Sequence, residues 1–266
     1  MQFTRTLSAS SLMMGAALFI SPMVSADTAD EELQDMSDPL AVYTQVGAGY
    51  TDKGLNIKIG RTYDTGNPAT MGMNVIELKG VAGDALGWNG GSDQRKAYNR
   101  NNSADSFRFR NTTADFSRGE GKGRGNQLDL NYDFRSESGT LSYSFLQEIP
   151  KNLGRINIYP LAGAGVAFGN NIGDDNRGYS VPGSFAIVGM YGKLEVTDKI
   201  WLNYNPMYSR PLSGADAFMN AGSNTMHEFA TSYQINPRTN IRYFANWSNS
   251  ISYRDGDHRI EINYQI

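Results

Sequence analysis

A period of two runs through this chain from residue 41 to its last residue, and no other feature narrows the fold as much. The closing segment sets Ile260, Ile262, Tyr264 and Ile266 against Arg259, Glu261, Asn263 and Gln265. Residues 127–135 place Leu128, Leu130, Tyr132 and Phe134 on one face, with Asp129, Asn131, Asp133 and Arg135 on the other. Residues 155–168 likewise separate Ile156, Ile158, Ala162, Ala164, Val166 and Phe168 from Arg155, Asn157, Tyr159, Gly163 and Gly165. A helix turns about 100° per residue and would scatter these faces, whereas a strand keeps them apart.

The alternation predicts twelve strands, near 41–50, 54–63, 70–79, 105–116, 126–135, 140–149, 155–168, 184–196, 200–209, 225–235, 240–248 and 257–266. The third (TMGMNVIELK) has no clear face and the fourth (SFRFRNTTADF) alternates only at its start, so ten and fourteen remain alternative counts. Connections provide a second signal. The long ones, 80–104, 169–183 and 211–224, follow strands three, seven and nine, while the tight ones around 150–154, 197–199 and 236–239 follow strands six, eight and ten. Long and short connections thus fall on opposite ends of a closed meander. That is the habit of a transmembrane barrel with short periplasmic turns and longer extracellular loops. The short hairpins around 52–54 and 136–139 and the Gly-rich turn 117–125 fit this parity less well.

The start of the chain supplies the route to a membrane. Arg5, the apolar run Leu12 to Ile20 and the small residues Val24-Ser25-Ala26 follow the order of a cleavable secretory signal, and the apolar run is too short to span a bilayer. Asp27 stands where a lipoprotein would need Cys. Residues 27–40 hold six acids among fourteen positions and read as a solvated periplasmic tail. The expected organisation is therefore 1–26 signal peptide, 27–40 acidic tail and 41–266 barrel. Beyond the signal no segment approaches the ~18 consecutive apolar residues of a membrane helix. Low overall hydropathy is compatible with a barrel, because only alternate residues of each strand face lipid. Aromatic residues fit that reading. Tyr50, Phe134, Tyr208 and Trp247 fall near the long-loop ends of outward faces, and Tyr233 and Tyr264 near the opposite ends; Trp201 also falls at a short-turn end but points inward.

Composition removes several function classes. Lys and Arg total 24 against 27 Asp and Glu, with no basic stripe for nucleic acid. There are no cysteines for disulfides or thiolate metal sites.

These residues resemble outer-membrane β-barrel proteins as a class. The segments IYPLAGAGVAFG (158–169), MYGKLEVTDKIWLNYNPMYSR (190–210) and RIEINYQI (259–266) look like its strand–turn–strand units, and the likeness covers 41–266. The layout is similar to small solute channels, including oligogalacturonate-type porins, with no motif specific to one family. The last strand resembles the C-terminal signal that such barrels show to their assembly machinery, though it ends on Ile266 where an aromatic is usual. The resemblance implies outer-membrane lipid and lipopolysaccharide as surroundings and small hydrophilic solutes as cargo.

Tracing the alternation inward yields a charged lumen. Lys58, Arg108, Arg110, Arg135, Arg155, Lys193, Arg242 and Arg259 point in, as do Asp129, Asp133, Glu195, Glu228 and Glu261. A one-residue slip would exchange the faces of a whole strand. The slight basic excess suits a water-filled constriction for small hydrophilic solutes, anionic ones among them. The competing reading has the same charges pairing across the lumen and closing it, leaving a non-porous barrel for surface recognition. A dozen strands lie between about eight, which leave a filled interior, and 16–18, which leave an open channel.

An enzyme reading rests on His227 and His258, both at the long-loop rim and facing outward, where an outer-leaflet lipid hydrolase would keep its histidine. Phe229 stands where the lipid A deacylase pattern has Ser. No catalytic residue, cofactor or metal site is assigned. The run 119–125 (GEGKGRG) lacks the Lys-Ser/Thr and helix of a phosphate loop, and 173–176 (GDDN) reads as a polar turn before a calcium site.

Overall fold

The computed structural model describes residues 33–51, 53–86, 103–119, 122–150, 154–172 and 178–266. The expected signal segment, the first residues of the acidic stretch and the 173–176 turn lie outside the described residues. Leu33–Ile266 forms one compact unit.

Twelve strands follow in order: β1 (Gln45–Thr51), β2 (Leu55–Asp64), β3 (Thr70–Val81), β4 (Ser106–Asp115), β5 (Arg124–Asp133), β6 (Ser138–Gln147), β7 (Ile156–Asn170), β8 (Tyr179–Glu195), β9 (Ile200–Gly214), β10 (Asn224–Asn236), β11 (Thr239–Ser248) and β12 (Asp257–Gln265). Each pairs antiparallel with its neighbours in sequence, and β1 pairs with β12 from Gln45↔Gln265 to Thr51↔Arg259, which closes the sheet into a barrel. A short helix, α1 (Asp216–Asn220), follows β9. No helix among the described residues is long and apolar enough to cross a membrane. Closure leaves no sheet edge, the condition for placing strands in hydrocarbon, where an unpaired backbone N–H or C=O finds no water.

The faces are inverted relative to a water-soluble barrel. Ile57, Ile59, Ile76, Tyr143, Phe145, Val188, Ile260 and Ile262 are exposed on the outside, while Asn56, Glu77, Asp129, Lys193, Asn203, Arg259, Glu261 and Asn263 are buried inside. Tyr50, Phe134, Tyr208, Tyr233 and Tyr264 are exposed, and Trp201 is buried in the interior, each on the side the alternation predicts. One outward glycine is needed: Tyr63 opposes Gly72 across β2–β3, and a Cβ there would lie 2.2 Å from the tyrosine Cζ.

Strand number and type agree with the sequence, and the boundaries differ most at two places. β7, β8 and β9 run 15, 17 and 15 residues and rise past the rest of the wall at the long-loop end. The first strand begins at Gln45, not 41, because the chain before it lies inside the barrel. Residues 33–40, expected as a solvated tail, fold as two consecutive turns, with Asp38 N donating to Asp35 O (3.0 Å) and Ala41 N to Asp38 O (3.0 Å). The Asp35 and Asp38 carboxylates accept from the amides of Ser37 and Leu40, both at 2.9 Å. Met36, Leu40 and Val42 are buried. Acid-rich composition suggested solvation, but the three apolar residues sit where they can pack while the acids cap turns.

That segment also explains the indistinct third strand. Met73 and Val75 face inward and are apolar because Leu40 and Val42 pack on that region; Glu77, further along the same face, is polar. Ile76 points outward at mid-wall, 47% exposed. Replacing Ile76 by Arg is expected to cost about 2–4 kcal/mol in lipid vesicles, as a lipid-facing charge near the midplane does. Denaturant unfolding of the reconstituted barrel measures it, and an unchanged midpoint would show that Ile76 meets water.

Candidate functional site

Three polar clusters line the interior. On the β1–β3/β12 wall, the Glu261 carboxylate accepts from Lys58 Nζ at 2.6 Å and from Asn56 Nδ2 at 2.8 Å. Asn56 Nδ2 also reaches Glu77 Oε1 at 3.0 Å. Arg259 lies 3.3 Å from both Glu77 and Glu261. These are ion pairs by distance, without aligned hydrogen bonds from Arg259 Nε or Nη1. Its guanidinium also rests 4.1 Å above the Phe244 ring. Burying this many charges is tolerable only because each carboxylate has cations and an amide around it.

On the β4–β5 wall, Arg108 and Arg110 converge on one carboxylate. Arg108 grips Asp129 with Nε (2.9 Å) and Nη2, and Arg110 Nη2 reaches it at 2.9 Å. Asn131 and Gln127 add amide donors at 3.1 and 3.3 Å, and Tyr191 across the lumen donates to Gln127 Oε1 at 3.0 Å. Two cations on one anion leave a positive charge in excess. Both arginines keep about a quarter of their side chains exposed, at 28% and 26%. Arg108, Lys79, Asn131 and Asp133 border a cavity of about 300 Å³ in the long-loop half.

The third cluster lies towards the short-turn end. Arg242 donates to Ser232 Oγ (2.9 Å) and Asn203 Oδ1 (2.8 Å). Lys193 pairs with Glu195 at 2.9 Å. Glu228, nearer the long-loop end of β10, accepts from Asn205 at 2.8 Å. Buried oxygens of Asn157 and Asn205 and the Trp201 indole nitrogen have no partner among the described residues, as expected of groups lining a space that water enters.

Of the residues singled out in the sequence, Lys58, Arg108, Arg110, Asp129, Lys193, Arg242, Arg259 and Glu261 thus stand in these clusters, with Glu228 on the same interior and Glu195 at its short-turn rim. Asp133, Arg135 and Arg155 stand at the barrel's rims. Asp133 caps the β5–β6 turn by accepting from the amides of Arg135 (3.0 Å) and Ser136 (2.7 Å). Arg155 precedes β7 and donates to Val196 O at 2.7 Å. Alternation sets a side chain's direction only while the strand lasts, and Arg135 and Arg155 lie beyond the strand ends. Sequence reasoning missed Asn56, Glu77 and Lys79. The register could have found one, since Glu77 faces both Lys58 and Arg108 across the strands.

Both histidines lie outward at the long-loop rim. His227 Nδ1 meets Tyr204 OH at 2.8 Å and its ring stacks on Trp247 at 5.1 Å. His258 Nδ1 meets Tyr243 OH, and its Nε2 meets Tyr253 O, both at 2.8 Å. These contacts build an aromatic girdle, and no serine enters them. No group of three or more His, Asp or Glu suited to a metal occurs among the described residues.

No protein-family model matches the chain, and no curated protein sequence does either. Solved structures do resemble it. An outer membrane channel from Pseudomonas putida F1 aligns at TM-score 0.53 and 8% identity, covering 86% of this chain and 97% of that one. The KdgM porin in complex with disordered oligogalacturonate aligns at 0.48 and 8%, covering 85% and 99%. The translocator domain of the autotransporter NalP from Neisseria meningitidis aligns at 0.47 and 11%, covering 86% and 91%. At such identity the likeness is one of fold, and the fold is that of outer-membrane β-barrels.

The ion network makes a stability prediction. Glu261 is 1% exposed, and Glu261→Ala strands Lys58 beside Arg259. The expected loss is about 3–5 kcal/mol in equilibrium unfolding. A loss below about 1 kcal/mol would indicate that lumen water already shields Lys58.

Proposed function

We propose that this chain is an outer-membrane channel for small hydrophilic solutes that favours anions. The observation that carries the reading is the unequal cluster on β4–β5. Arg108 and Arg110 share the single carboxylate of Asp129 and remain partly open to the lumen. Fixed cationic groups in a narrow, low-dielectric passage lower the energy of an entering anion and raise that of a cation. The fold supports a passage rather than a filled core, because twelve strands enclose more than side chains alone occupy at eight.

The same geometry supports a reading of the surroundings. The exposed apolar band is to be covered by lipid, with the tyrosine, histidine and tryptophan rim against lipopolysaccharide. The alternating Ile260, Ile262, Tyr264 and Ile266 edge would be shown to the assembly machinery before β12 pairs with β1. In this orientation the short-turn end is periplasmic.

A second reading, a non-conducting barrel with a surface role, is favoured by one observation: Leu40 and Val42 are packed inside the lumen. Planar-bilayer recording separates the two. The purified protein is expected to give discrete current steps with a reversal potential on the chloride side in a KCl gradient. Arg108→Ala with Arg110→Ala should move that potential towards the potassium side. Absence of any current at all voltages, with the lumen-packed segment around Leu40 and Val42 present or removed, would sink the channel reading, and an unmoved potential would remove these arginines from selectivity.

A further inference from the structure

The segment Leu33–Thr44 reaches across the lumen. Its Leu40 packs with Ala114 of β4 and against Gly125 of β5, where a Cβ would come within 3.0 Å of the leucine Cδ2. Its Met36 sulfur, on the other side, accepts from Gln234 of β10 and Asn240 of β11, both at 3.5 Å. β4 and β10 stand six places apart in a ring of twelve, so the segment touches opposite walls. Between them, Lys193 of β8 donates to Ser37 Oγ at 2.9 Å and lies 3.4 Å from Asp35 Oδ2. Tyr43 lies within electrostatic reach of Arg242. A segment held at both walls and in the middle closes the short-turn half of the passage. Its Asp35 carboxylate also adds a counter-charge to Lys193. Arg242 has hydroxyl and amide partners among the described residues, and Lys193 has Glu195 besides the segment.

The attachment is non-covalent and local. The segment's own turns satisfy much of its backbone, and it meets the wall at its last residue, Thr44, whose carbonyl accepts from Ile266 N at 3.0 Å. Every ladder of the barrel, including β1–β12, is formed by residues after it. It can therefore leave without breaking a strand ladder, at the cost of exposing the buried Met36, Leu40 and Val42.

We propose that Leu33–Thr44 is a resident plug, and that its displacement opens the lumen and uncovers Lys193 and Arg242 as an anion-selecting constriction. This rests on the channel reading above. The test is single-channel recording in KCl of the full chain, a variant lacking residues 33–40, and Leu40→Asp, which puts a charge into the apolar seat. Folded barrel is verified for each by heat-modifiable gel migration. A several-fold larger conductance in both variants, with a reversal potential shifted further to the chloride side, is the expected result. Lys193→Met added to the deletion should take back part of that shift without reducing the conductance to that of the full chain. Equal conductance of the full chain and a folded variant would overturn the plug and leave the channel standing. If the deletion does not fold, Leu40→Asp is held to the same criterion. Silence of all three folded proteins would overturn the channel reading, and the plug with it.

Discussion

Backbone pairing in hydrocarbon is the constraint on which everything else in this molecule depends. A strand in lipid must give each N–H and C=O to a neighbour, and only a closed sheet does so for all strands at once. Here closure falls to β1 and β12, the first and last strands of the chain, paired over seven residues. Since all other pairings join consecutive strands, the wall is a meander of local hairpins with one long-range seam. Alternation then assigns every side chain to lipid or lumen without further choice.

That assignment produces a chemical problem inside. Each strand sends polar residues into a space too narrow to behave as bulk water, so charges there need partners. The Lys58–Glu261–Arg259–Glu77 chain solves this almost completely on one wall, with Asn56 bridging the two carboxylates. On the adjoining wall, Arg108 and Arg110 share Asp129, and the balance is left positive. The contrast between a neutralised wall and a cationic one gives the lumen its character, and it arises from one carboxylate serving two guanidiniums.

The N-terminal segment belongs to the same balance. Its apolar residues cover the lumen positions where the wall itself is apolar, namely Met73, Val75, Ala114 and Tyr159. Its acids meet Lys193 and the polar groups around it. Asp35 remains ionised against the penalty of its burial, because the Ser37 hydroxyl and amide and the Lys193 ammonium hold its carboxyl below the ordinary value. Wall and segment are thus complementary in both polarity and charge, and each accounts for residues that look misplaced in the other.

The sequence by itself determined the antiparallel order and, along most of the wall, which residues face lipid, because a period of two is a local property of the backbone; it pointed to twelve strands, with ten and fourteen open until the closed ring fixed the count. It also identified most of the lumen charges, from Lys58 through Arg108 and Asp129 to Glu261. It became unreadable in β3 and late in β4, where inward residues such as Met73 and Ala114 are apolar and the contrast between faces disappears. It was misleading at residues 33–40, where six acids in the surrounding stretch suggested solvent. Which carboxylate serves which cation, and what fills the short-turn half of the lumen, were decided only by tertiary structure. Those contacts join positions up to about two hundred residues apart, such as Met36 with Asn240 and Asn56 with Glu261. Alternation orients a side chain relative to its own strand, but only the closed ring brings those distant strands to face one another.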